Sequence, residues 1–353
     1  MKIRLRGVED NQCWRTSIVG NMLSKEDDYI DNEYYIYNRR FFRLIGFWQH
    51  QTSSKNVIYI CFINFMLLFG SFEQIYFLFM SERKLMSIAK LLETSLPTLC
   101  FGSCYCNLLL NYRIMKKILY RIKFDWDNLA DKPELIILKK YAEISRLCTI
   151  VIALSFYFYI VFFIFPSLLS VFQYFLGFIN ETELILPIRV EYFMKNRMLY
   201  FFALTIEYII ILIAATVGIA NYTMFIAIVQ HACALLTIVK WKAIERFIDN
   251  RHNFYYTITS RELIEERQWI IDIIKFYNKA IEFIDLLKLF YETIHLLEEL
   301  FGFIFFLIDY FYLFQLLSLS FNKTEGLTKF LYIIGSLFVI YVYFYLGQNV
   351  INH

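Results

Sequence analysis

Proline is scarce in this chain, with 4 in 353 residues, so long apolar runs continue without a breaker. Cysteine gives no scaffold either. The seven (Cys13, Cys61, Cys100, Cys104, Cys106, Cys148 and Cys233) are scattered, their number is odd, and no two form a CxxC pair. Neither a disulfide framework nor a zinc site is indicated. The five histidines show no metal-ligand spacing, and no glycine-rich phosphate loop is present. Enzyme signals are therefore poor, and neither metal nor cofactor is expected. A net charge of +3 is too small to imply nucleic acid. Residues 1–56 carry charges throughout and lack the apolar core of a signal peptide.

What the chain has is apolar surface. Hydrophobic residues make up 59% and aromatics 20%, more than a soluble domain of this length needs. A membrane span takes about 20 mostly apolar residues. Six such stretches occur, at 57–80, 85–109, 147–172, 199–219, 300–321 and 327–346. In the second, Lys90 and Glu93 lie inside and Pro97 interrupts. The pattern predicts an all-α polytopic membrane protein with six transmembrane helices.

Loop charge sets the orientation. Residues 1–56, the 113–146 connection and the 240–288 segment hold nine Lys or Arg each. The alternate connections hold 8 in total, against these 27. The amino terminus is thus expected in the cytoplasm. Of three glycosylation sequons, those at Asn180 and Asn322 fall in loops expected outside. The third, at Asn221, lies inside an apolar helix.

Two segments are longer than a membrane is thick. From Leu199 to Val239 the only charge is Glu207. As one helix these residues would span about 60 Å, about twice the hydrocarbon thickness. No turn signal divides them, so one helix protruding into the cytosol is expected. In 268–288, polar Gln268, Asp272, Lys275, Lys279 and Glu282 oppose a face of Ile270, Ile273, Ile274, Tyr277, Ile281, Ile284 and Leu287. This amphipathic helix runs unbroken into the fifth span. The expected organisation is a cytoplasmic segment (1–56), four spans with an extended fourth helix (57–239), cytosolic amphipathic helices (240–299), two further spans (300–346) and a final cytosolic segment (347–353).

Charge inside a membrane invites a functional reading. Glu207 and Asp309 are the clear cases, with Glu73 nearer an edge. Cys100, Cys104 and Cys106 read as small apolar residues. His231 reads as a packed residue rather than a base.

Five stretches carry a family resemblance. They are Tyr34-Tyr35-Ile36-Tyr37-Asn38-Arg39-Arg40 with Gly46-Phe47-Trp48; Asp125-Trp126 with Leu138-Lys139-Lys140-Tyr141; Leu186-Pro187 with Glu191-Tyr192-Phe193; Val229-Gln230-His231-Ala232-Cys233; and Gly347-Gln348 with Ile351-Asn352-His353. In this order the sequence resembles insect odorant receptors, most of all those of ants, bees and wasps. At Asn352 the family usually has Asp.

The resemblance implies a seven-helix fold with long cytosolic extensions. It implies a ligand-gated cation channel in the plasma membrane of olfactory sensory neurons. The receptor subunit would form a hetero-tetramer with a co-receptor. The inner part of a seventh helix would line the pore, and the cytosolic ends of spans four to six would anchor the subunits. In the family the Gly-Gln motif precedes that seventh helix. The expectation is therefore a truncated, non-conducting product.

The resemblance also implies a pocket for small apolar odorants in the outer membrane half. Orientation assigns Tyr159, Phe163 and Phe165 to the outer half of span three. It assigns Phe202, Ile206, Tyr208 and Ile209 to span four, and Phe330, Ile333 and Ile334 to span six. Tyrosine offers both an apolar ring and a hydroxyl to such a ligand. The other readings are an insect gustatory receptor and an unrelated polytopic transporter or membrane enzyme. The Asp125-Trp126 and Gln230-His231-Ala232-Cys233 stretches favour the odorant side. A transporter needs polar groups converging at mid-membrane.

Overall fold

The computed structural model describes residues 33–47, 54–80, 85–130, 132–181, 184–187, 197–251 and 260–319, together with positions 333, 334, 337, 341, 345 and 348. Among the described residues the regular elements are all helical. A single turn, Glu33–Tyr35, leads into α1 (Ile36–Leu44). Then come α2 (Ser54–Met80), α3 (Leu85–Leu110), α4 (Tyr112–Leu129), α5 (Leu135–Phe175), α6 (Arg197–Arg251) and α7 (Ser260–Leu319). Phe330, Asn322 and most of the 327–346 stretch lie outside the described residues. Ile333, Ile334, Leu337, Tyr341, Tyr345 and Gln348 are helical.

The 55 residues of α6 and the 60 of α7 are each one unbroken helix. At 1.5 Å per residue they are about 80 and 90 Å long, far more than the roughly 30 Å of hydrocarbon. No hairpin divides 199–239. Pro97 does not interrupt α3, which continues through it. A proline removes one backbone hydrogen bond. Here α3 is held along its length by α2, α6 and α7, which keep the helix together.

Helix ends follow local chemistry. Gly46 (φ 82) ends α1 and Gly177 (φ 76) follows the last turn of α5. In each case the next N–H reaches back five residues, Phe47 to the Phe42 carbonyl and Phe178 to that of Gln173. Only glycine takes this left-handed position without strain.

α6 is the central helix. Half of its most apolar window is buried, against 11% for that of α5. The α5 surface instead displays Leu154, Phe158, Val161 and Phe165, as a lipid-facing helix does. Gly218 lets α6 approach α3: a Cβ there would sit 2.7 Å from the Phe101 ring. The main core gathers Phe42 of α1, Tyr105 and Leu108 of α3, Ile118 and Ile122 of α4, Ala232 and Ile238 of α6, and Phe283 and Phe290 of α7.

Candidate functional site

Pro166 lies inside α5 and removes a donor from that turn. Just beyond it the Ser167 hydroxyl donates to the Ile164 carbonyl (2.8 Å) and Ser170 to that of Ser167 (2.9 Å). Both serines then reach other elements. Ser167 Oγ lies 2.7 Å from the Tyr208 hydroxyl of α6. Ser170 Oγ accepts from the Ile185 N–H (3.2 Å). The Tyr200 hydroxyl donates to the Ile185 carbonyl (3.1 Å). Leu184 and Leu186, on either side, pack with Tyr200 and Leu204 into a small apolar cluster that Tyr208 borders. Residues 184–186 are thereby strapped onto both helices.

Tyr159 and Phe163 stack one turn apart on α5, with centroids 6.3 Å apart and planes 7° from parallel. Ser167 continues the same face one turn later, so this face meets Tyr208. Ile206 and Tyr208 are half-buried, and Glu207 between them is buried. Phe202 is 64% exposed and Ile209 37%. Ile333 is buried. Ser167, which meets Tyr208, thus lies one turn from Phe163 and two turns from Tyr159 on α5; the composition-led reading passed over it. An in-helix serine beside a proline was the available signal.

A second constellation gathers three of the five resemblance stretches. Tyr34 stacks on Trp126 (5.6 Å) and Tyr35 meets it edge-on (6.2 Å). Burial pushes the Tyr35 phenol up to about 12. Asp125 accepts from Arg121 Nε at 3.1 Å and lies 3.2 Å from His231 Nε2. The His231 ring also packs against Phe283 of α7. Nearby, Glu134 is buried; burial raises its carboxyl, but bonds from Lys242 and the backbone outweigh this and hold it below its ordinary range. His231 is a packed, paired residue.

A third cluster went unseen in the sequence. Glu298 of α7 accepts from Asn221 Nδ2 of α6 (2.8 Å) and from Cys104 Sγ of α3 (2.7 Å). His295 Nδ1 lies 3.0 Å from its other oxygen. The Tyr291 ring stacks on His295. Cys104 is therefore a polar partner rather than an apolar filler. Among the described residues no three His, Cys, Asp or Glu converge as a metal site.

No curated protein matches the sequence. Among solved structures, the insect olfactory receptor OR5 from Machilis hrabei shares the fold, with a TM-score of 0.63 at 14% identity. The alignment covers 89% of this chain and 79% of that one. The same receptor in complex with eugenol gives a TM-score of 0.62 at 12% identity, over the same shares. Residues 87–353 match the sequence profile of the family described as "7tm Odorant receptor". With most of its length matched, and on a multi-pass helical fold, this chain belongs to the 7tm odorant receptor family.

Proposed function

We propose that the chain is the odorant-binding subunit of a ligand-gated cation channel, acting with a co-receptor in a hetero-tetramer. Its ligand is a small apolar molecule, volatile or cuticular. It binds beside the Tyr159–Phe163 stack and Tyr208, with Phe202, Ile206, Ile209, Phe330 and Ile333 completing the pocket. The observation that carries this is the joining of the α5 aromatic face to Tyr208 through Ser167, which sets one hydroxyl pair in apolar surroundings. The similarly folded olfactory receptor OR5 was solved in complex with eugenol.

The same reading puts the receptor in the plasma membrane of olfactory sensory neurons, with a cytoplasmic amino terminus. The Lys and Arg asymmetry of the loops supports that orientation. It makes 1–56 and 240–299 cytosolic, with 240–299 and the cytosolic extension of the fourth spanning helix within 57–239 forming the subunit anchor. The five quoted stretches support an ant-like, hymenopteran member. The reading assigns pore lining to a seventh helix.

The pocket is tested by co-expression with the co-receptor. Tyr159→Ala and Tyr208→Ala are expected to raise the half-maximal odorant concentration about tenfold or more. This corresponds to about 1–3 kcal/mol for a lost aromatic contact. Unchanged dose responses at normal surface expression would move the pocket elsewhere. A tag at residue 1 should stain only permeabilised cells.

A further inference from the structure

Between α4 and α7 lies a surface-open cavity of about 210 Å³. Its polar lining comes from Arg121, Asp125 and Asn128 of α4, Lys132 just beyond, and Lys279 of α7, with Phe276 on an apolar wall. Three cations face one carboxylate, and that carboxylate is already engaged. Asp125 accepts from Arg121 Nε (3.1 and 3.2 Å) and sits 3.2 Å from His231. Arg121 is also fixed by donating Nη2 to the Lys279 carbonyl (3.4 Å), which leaves other N–H groups of its fork unused. Among the described residues, Lys132 and Lys279 form no ion pair and the Asn128 amide makes no hydrogen bond.

An excess of positive charge around a concave space concentrates anions; the nearby Glu134 carboxylate, which also feels Lys132, is taken up by Lys242. A guanidinium held in place beside two ammonium groups suits phosphate oxygens. The volume lies below the roughly 300 Å³ at which drug-sized sites begin, so the ligand is compact. Along unbroken α7, Lys279 lies 21 residues before the apolar stretch that begins at Leu300. That is about 30 Å of helix, which separates the cavity from the membrane surface. A soluble ligand fits this depth better than a lipid headgroup.

We propose that this cavity is a binding site for a compact, soluble, phosphate-bearing anion, held by Lys132, Lys279 and the unused N–H groups of Arg121. Bound there, the anion ties α4 to α7 beside the Asp125–His231 contact. The site is separate from the odorant pocket and does not depend on it.

The test uses the purified chain in nanodiscs of neutral lipid, with labelled diphosphate as probe and chloride at matched ionic strength as control. Equilibrium dialysis should show one saturable site. The thermal midpoint should rise with diphosphate, as it does when a ligand binds only the folded state. Lys132→Gln and Lys279→Gln should each weaken binding about tenfold. Lys139→Gln, on an exposed position of α5, should leave it unchanged. All three variants should keep the parent midpoint in chloride, since these side chains are exposed. Absence of saturable binding overturns the proposal, as does equal weakening by Lys139→Gln. A final arm compares soluble inositol phosphate with vesicles carrying phosphoinositide. Competition by the soluble form supports the site, and capture by vesicles alone overturns it.

Discussion

The Asn221 amide donates to the Glu298 carboxylate at 2.8 Å, joining α6 to α7 where both are buried. A hydrogen bond to a charged group contributes about 1.5–3 kcal/mol, and Glu298 keeps its Cys104 and His295 contacts when the amide is lost. Asn221→Leu should therefore lower the thermal midpoint of the purified receptor by that amount of stability. Glu298→Leu should cost more, since it also strands Cys104 and His295, and the two substitutions should be non-additive. A double variant less stable than the sum of the two singles would contradict the pairing.

Glycosylation separates two sequons. Asn180 is exposed just after α5, whereas Asn221 is 1% exposed inside α6 with its amide engaged. Glycosidase treatment should shift the mobility of the parent and of Asn221→Gln, but not of a variant carrying Asn180→Gln and Asn322→Gln. A shift lost only in Asn221→Gln would reverse the topology.

Asp125 and His231 are 106 positions apart in sequence and 3.2 Å apart in space. Their substitutions should be non-additive. In a cycle of Asp125→Ala, His231→Ala and the double variant, unfolding should report a coupling of about 0.5–3 kcal/mol. Strict additivity would mean that the contact contributes nothing to stability.

When the Ser167 hydroxyl donates to the Ile164 carbonyl, Tyr208 donates to Ser167 and its oxygen lone pairs are what it offers a ligand. A ligand that carries a hydroxyl can donate there, and a ketone of the same shape cannot. Tyr208→Phe should weaken responses to alcohols about fivefold, near 1 kcal/mol, and leave ketone responses unchanged. Equal loss for both classes in dose-response recordings would show that the hydroxyl reads nothing.

The helices themselves were legible in the sequence. Apolar runs longer than a membrane, few prolines and the 268–288 amphipathic pattern dictate helices that outrun the bilayer, because backbone groups in lipid must be satisfied within the helix. The same local patterns led to Pro97 as an interruption, which packing by three neighbouring helices overrode. The Asp125-Trp126 and Gln230-His231-Ala232-Cys233 stretches could be noticed singly, but nothing local says that they touch. Helix rotation and crossing decide that, through side chains hundreds of atoms apart along the chain. Cys104 shows the limit most plainly. A cysteine in an apolar helix is a small hydrophobe by composition, and only the approach of α7, bringing Glu298 to 2.7 Å, turns its thiol into a hydrogen-bond donor.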